Sequence, residues 1–304
     1  MDRQKVLAIV GPTGIGKTSL SVWLAKQLDG EIISCDSMQV YKKMDIGTAK
    51  VTREEMQGIH HELIDVQNYN EPYNVKAFQE KCRTAIEDVV KRGKFPILCG
   101  GTGLYLKAAL YDYEFQEENE DIAYTTFLNS KTNEELVAML KEKDEKALEK
   151  IHPNNRKRLI RALQICHSGT SKSEQEDKQQ HIPLYDVYFL GLDVNRDILH
   201  DRINKRVDIM FENGLVKEVE DLFTNPETWE YTSFQGIGYK EFKDYFLKEK
   251  SIDEVKTAIK THSRQYAKRQ YTWFKNQMPV HWFEAQNRDE IYSAVKEWLM
   301  DEDK

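Results

Sequence analysis

The sequence predicts an α/β fold, a parallel sheet flanked by helices with a small helical domain inserted into it. Three observations carry that expectation. Apolar runs of strand length alternate with longer amphipathic segments of helical period, the pattern of a parallel sheet. Glycine-rich turns join strand to helix at residues 11–18 and again at 100–103. Beyond Glu114 the strand-like runs give way to charged, helix-periodic sequence, and they resume only near Val187.

The first element is Val6-Leu7-Ala8-Ile9-Val10, a short buried strand. The next eight residues, Gly11-Pro12-Thr13-Gly14-Ile15-Gly16-Lys17-Thr18, fit G-x-x-x-x-G-K-[ST], and Leu20, Trp23, Leu24 and Leu28 then recur at helical spacing. Strand, loop and helix in that order are the context a phosphate-binding loop requires, so the core reads as P-loop NTPase-like. Glycines let backbone amides curl around an anion, and the helix start adds the positive end of its dipole. Lys17 can reach a terminal phosphate, and the Thr18 hydroxyl is placed to ligate Mg2+. A diphosphate or triphosphate ligand follows. An accidental glycine-rich turn is the competing reading, and the flanking strand and helix count against it.

Residues 31–35 read as a second strand, delivering Asp36, Ser37, Met38 and Gln39 to the carboxyl edge, where open α/β sheets bind ligands. A carboxylate at Asp36 suits a general base, a magnesium ligand or a cap on the following turn. Residues 40–50 read as a polar loop on the same face. His60 and His61 are adjacent, so their side chains diverge, and no third ligand has sensible spacing; no zinc site is expected. A helix over 75–91 lines up Val75, Phe78, Cys82, Ala85, Ile86 and Val89. Gly93 ends it, 95–99 is a third strand, and Gly100-Gly101-Thr102-Gly103 turns into a helix over 104–110. Thr102 is thereby a second anion-contacting candidate.

Residues 116–185 read as the helical insertion, leaving 1–115 and 186–304 as the core. Asn133 is placed to cap a helix over 134–149, and Pro153-Asn154-Asn155 opens another. That second helix carries Arg156, Lys157, Arg158 and Arg161, with Leu159, Ile160 and Leu163 toward a small core. Such clustered cations suit a phosphate backbone or, more simply, a solvated helix start. Residues 187–192 restore the sheet. A helix over 196–212 sets Arg202 and Arg206 one turn apart, able to lean toward one site. Residues 235–240 form a glycine-loosened loop. The longest helix, 252–276, carries Lys256, Lys260, Arg264 and Lys268 at steps of four beside aromatics. A strand at 281–283 and a helix over 289–300 close the chain.

Of the 304 residues, 40% are hydrophobic and 31% charged, an ordinary soluble composition. No apolar run approaches the ~20 residues that span a bilayer. The first residues run straight into a strand, and Cys35, Cys82, Cys99 and Cys166 lack C-x-x-C spacing. The expectation is a cytoplasmic protein with reduced thiols, no membrane association and no signal peptide. A net charge of −7 argues mildly against a polyanionic partner, but the charges are segregated along the chain.

These residues leave two readings open. One is a kinase of a small molecule or nucleotide, with Asp36 deprotonating the acceptor. The other is a transferase that uses the same cradle for a diphosphate leaving group and takes a nucleic acid as acceptor. A P-loop ATPase switch fares worst, since no acidic pair follows the strand ending at Cys99. The two basic helices separate the first two, for a metabolite kinase has no use for them.

Gly11 to Thr18, Asp36-Ser37-Met38-Gln39-Val40-Tyr41, Met44-Asp45-Ile46-Gly47-Thr48-Ala49-Lys50, Gly100-Gly101-Thr102, Ile151-His152-Pro153-Asn154, Arg158-Leu159-Ile160-Arg161-Ala162-Leu163, Gly236-Ile237-Gly238-Tyr239 and Arg264-Gln265-Tyr266-Ala267-Lys268-Arg269-Gln270 occur in order across nearly the whole chain. Together they resemble the tRNA dimethylallyltransferase (tRNA isopentenyltransferase) family. The resemblance implies a nucleotide-kinase-like core and transfer of a dimethylallyl group from dimethylallyl diphosphate to N6 of the adenosine 3′ of the anticodon, with release of diphosphate. It implies that Asp36 takes the proton of a flipped-out adenine, that Gly14, Gly16, Lys17 and Thr18 hold the diphosphate with Mg2+, and that Thr102 and Arg206 stabilise the departing oxygens. It also places Ser37 to Gln39, Lys157 to Arg161 and Gln235 to Lys240 on the tRNA anticodon stem-loop; a monomer is the expectation, carried by no motif. Family members commonly carry an arginine where this chain has Tyr124, which can stack on a base but cannot neutralise a phosphate.

Overall fold

The computed structural model describes residues 3–115, 121–174 and 181–301. It divides into two compact units, Met1–Tyr111 with Pro183–Lys304, and Asp112–Ile182.

In the first unit the order is β1 (Lys5–Val10), α1 (Lys17–Leu28), β2 (Gly30–Ser34), α2 (Arg53–Met56), β3 (His61–Glu62), α3 (Val75–Lys91), β4 (Phe95–Gly100) and α4 (Gly103–Leu110). The second unit holds α5 (Ile122–Asn129), α6 (Asn133–Lys143) and α7 (Arg156–His167). The first then resumes with β5 (Asp186–Asp193), α8 (Arg196–Glu212), α9 (Leu215–Leu222), α10 (Lys243–Phe246), α11 (Ile252–Gln277), β6 (His281–Glu284) and α12 (Arg288–Met300).

The strands form one six-stranded sheet in the order β3-β2-β4-β1-β5-β6, parallel at every pairing. The predicted α/β class is therefore what the chain adopts. Strand β1 lies inside the sheet and Val6 to Val10 are fully buried. Because side chains alternate across a sheet, Val6, Ala8 and Val10 join one core and Leu7 and Ile9 the other. Helices α3, α4, α9 and α11 cover the first face, while α1 and α12 cover the second. This three-layer arrangement explains why β1 reads as an unbroken apolar run.

Two local expectations are corrected. Strand β3 was not foreseen; with two residues, pairing Ile32 with His61 and Ile33 with Glu62, it is too short to show a period. The helix expected over 134–149 is two elements. Thr132, not Asn133, caps α6 in a reciprocal box with Glu135. The helix then breaks at Asp144, whose buried carboxylate accepts the Ala147 amide and opens a 3-10 turn over Glu145–Glu149. The second unit closes on its own core of Leu128, Leu136, Leu140, Ile151, Leu159 and Leu163 with Ala147 and Ala162. Among the described residues no helix is long and apolar enough to cross a membrane.

Candidate active site

The loop after β1 needs positive φ at Gly11, Gly14 and Gly16, the left-handed region that side chains disfavour. It ends where α1 begins, at Lys17. The Lys17 ammonium is folded across its own loop, donating to the carbonyls of Gly11 (3.0 Å) and Pro12 (2.8 Å). Burial lowers its pKa to about 8; Cys99 and Asp36 act the other way and Arg206 adds to the lowering. Arg206, from α8, donates to Thr13 Oγ1 (3.1 Å) and the Ala49 carbonyl (3.3 Å), so α8 is tied both to the phosphate loop and to the loop at 45–50. Arg202, one turn earlier, reaches the Ile15 carbonyl at 3.5 Å.

Asp36 emerges from β2 as the end-of-strand position predicts. Its Oδ1 accepts the amides of Met38 (2.8 Å) and Gln39 (3.3 Å), which is the cap. Among the described residues Oδ2 has no protein hydrogen-bond partner. The same carboxylate therefore holds its turn with one oxygen and offers the other. Thr102 lies beside this turn. Its hydroxyl accepts the Ser37 amide (3.3 Å) and meets Ser37 Oγ (3.5 Å), so it braces the Asp36–Ser37 corner from behind.

Two cavities meet here. The first, about 660 Å³, is lined by the phosphate loop with Lys17, Thr18, Asp36, Arg202 and Arg206. The second, about 390 Å³, is lined by Ser37, Met38, Gly47, Gln235, Gly236, Ile237 and Lys240. Thr13, Asp36, Thr48, Arg206, Met210 and Tyr266 belong to both. The base candidate and the arginine thus stand on a shared wall.

Gln270 was not foreseen at the site. From α11 its Oε1 accepts the Thr13 amide (2.9 Å) and its Nε2 donates to the Gly101 carbonyl (3.0 Å), joining the two glycine turns. Burial, then Asp36, raises the pKa of the Tyr266 phenol one turn earlier, which keeps it protonated. A signal for Gln270 was available. It falls in the buried stripe of Ile259, Ala267 and Phe274, where a polar residue needs a polar partner.

Of the residues expected on RNA, Gln235 and Lys240 are exposed, while Tyr239 is fully buried and its phenol donates to Glu218. In the second unit Lys157, Arg158 and Arg161 are exposed and Ile160 is half-buried. Leu159 belongs to the core and presents nothing to a ligand. The Tyr124 ring stacks on His167 at 3.9 Å with Phe127 at 6.1 Å, so it is already engaged within its own unit. His60 draws together with Glu31 and Glu62, a grouping the sequence spacing did not suggest. Arg92 donates to both carboxylates, at 2.5 and 2.9 Å, and supplies their countercharge.

Fold and site define a phosphate-loop transferase: an anion cradle on a parallel sheet, opening onto a second cavity across a carboxylate. The chain belongs to the IPP transferase family, whose model matches residues 39–277. It is 49% identical over 301 residues to a tRNA dimethylallyltransferase of Bacillus anthracis, covering 97% of this chain and 96% of that one. It is similar to the crystal structure of a tRNA isopentenylpyrophosphate transferase from Staphylococcus epidermidis, with 41% identity, a TM-score of 0.72, and coverage of 97% and 99% of the two chains. It also resembles a eukaryotic dimethylallyltransferase acting on tRNA, with 31% identity, a TM-score of 0.83, and coverage of 98% of this chain and 79% of that chain.

Proposed function

We propose that this protein is a tRNA dimethylallyltransferase that moves the dimethylallyl group of dimethylallyl diphosphate onto N6 of the adenosine 3′ of the anticodon. The observation that carries the reading is Asp36 on the wall common to two cavities, one of them an anion cradle. The amine nitrogen attacks the allylic carbon, the carbon–oxygen bond breaks, and diphosphate leaves with the electron pair. The amine proton passes to Asp36 Oδ2, which has no competing partner among the described residues. Asp36 Oδ1 stays bound to Met38 and Gln39, so the carboxylate is held in place while it accepts.

The leaving group is held by the amides of residues 14–18, with Arg206 beside the breaking bond. Lys17 must release the Gly11 and Pro12 carbonyls to meet it. Thr18 lines the cradle cavity and offers a hard hydroxyl oxygen, which would suit Mg2+. That ion would neutralise charge on the diphosphate. Gln235, Lys240, Lys157, Arg158 and Arg161 supply exposed contacts for the anticodon stem-loop, and the protein works as a cytoplasmic monomer.

The test is incubation with labelled dimethylallyl diphosphate and unmodified tRNA, beside labelled ATP and a panel of metabolites. Label in tRNA from the first is expected. Phosphoryl transfer from ATP to a metabolite, with no label in tRNA, would support the kinase reading instead.

A further inference from the structure

Glu218, on α9, receives four hydrogen bonds and pairs with no cation among the described residues. Its Oε2 accepts the backbone amides of Asp45 (2.9 Å) and Ile46 (2.7 Å), and its Oε1 accepts the Gly47 amide (3.0 Å) and the Tyr239 phenol (2.7 Å). Consecutive amides turned toward one point form a nest that ordinarily holds a ligand anion. Here the protein fills that nest with its own carboxylate.

The bond to Tyr239 makes this more than a local cap. The Tyr239 ring lies directly on Gly47, where a Cβ would stand 2.5 Å from the ring. Gly238 is also close, its would-be Cβ 2.9 Å from the Gly47 carbonyl. The loop at 45–48 and the turn at 236–240 are thus locked face to face, and Glu218 is the group bonded to both. Gly47 and Thr48 line one side of the second cavity, and Gly236, Ile237 and Lys240 line the other. Glu218 itself lines neither cavity and is bonded to no residue of the phosphate loop.

We infer that Glu218 is a positioning residue for the acceptor, setting the gap between the Gly47 loop and the Gly236 turn into which the adenosine enters. The inference rests on the acceptor assignment made above. Two variants of the full chain test it. Glu218→Gln keeps the side-chain shape but turns an amide N–H against backbone donors. Tyr239→Phe keeps the ring on Gly47 and removes one donor. Affinity for an anticodon stem-loop RNA is measured beside affinity for inorganic diphosphate, with hydrogen exchange of the 45–47 amides. Glu218→Gln is expected to weaken RNA binding about tenfold and Tyr239→Phe by about threefold, as one or two hydrogen bonds are lost. Diphosphate affinity is unchanged in both, and the 45–47 amides lose protection in Glu218→Gln. RNA affinity equal to the parent's in both variants, or diphosphate affinity falling in step with it, overturns the inference. Transfer by the parent chain is read separately, so failure of the dimethylallyltransferase reading shows as no labelled RNA whatever the variants do.

Discussion

The two cavities that share Asp36 are built in opposite ways. The first takes its cradle from consecutive residues between β1 and α1, and the loop's own glycines and helix start do most of the shaping. The second is drawn from the Asp36 turn, the 45–48 loop, α8, the 236–240 turn and α11, and its width depends on side chains such as Glu218 and Tyr239 that never face its interior. The anion cradle at the heart of one is made by local backbone geometry and only braced from α8 and α11, whereas the other is made by tertiary agreement throughout. Damage to the first should change chemistry and anion binding, and damage to the second should change acceptor binding.

The sharpest way to break that division is Asp36→Asn. Asparagine can still accept the Met38 and Gln39 amides, so the turn survives, but it cannot take a proton. Single-turnover transfer is expected to fall by about 10²- to 10⁴-fold with diphosphate affinity intact. Loss of diphosphate binding in the same measure would make Asp36 part of the cradle alone. Next comes Arg206→Gln, which removes a charge from the shared wall. Transfer should drop about 10²- to 10³-fold while RNA affinity holds, read by the same assay beside an RNA titration.

A smaller effect comes from pH. Burial depresses Lys17 to about 8, so its ammonium is lost as pH rises through that value. Diphosphate needs the charged form, and its affinity should fall about tenfold per pH unit above this point while changing little below it. Calorimetry from neutral to alkaline pH checks this, and Lys17→Arg should flatten the profile. The smallest effect is assigned to the second unit. Arg158→Ala with Arg161→Ala should weaken RNA binding a few-fold and lower the slope of log affinity against log salt by about 1.4, two phosphate contacts' worth on a single strand. An unaltered slope would take these arginines off the RNA.

The same contrast explains what could be read in advance. The phosphate loop is legible because its parts are adjacent and its flanking strand and helix announce themselves by period. Asp36 is legible because a strand end in a parallel sheet has a known place. Thr102 is legible as a hydroxyl in a glycine turn, but its bond to Ser37, a partner 65 positions away, is one that spacing cannot reveal. Tyr239 sits in a segment matched to the family but works from inside the core. Leu159 follows from the helical period that already directed it inward, which makes it a poor choice for an exposed contact. Gln270 stood in plain view as a polar residue in an apolar stripe, and only its partners, Thr13 and Gly101, needed the third dimension.

The place of β1 also bears on how this chain is made. Its five buried residues are made long before one of their neighbours, for β5 pairs Lys5 with Asp186. At ordinary bacterial-scale elongation of roughly 5–20 residues per second, the strand waits about 10–35 s before that partner exists. Meanwhile residues 112–182 emerge as one continuous stretch with a core of their own. Strand β1 can pair with β4 once residue 100 is made, but its other edge stays open until residue 186, so the first half of the sheet waits half-closed while the stretch between can already condense on its own core.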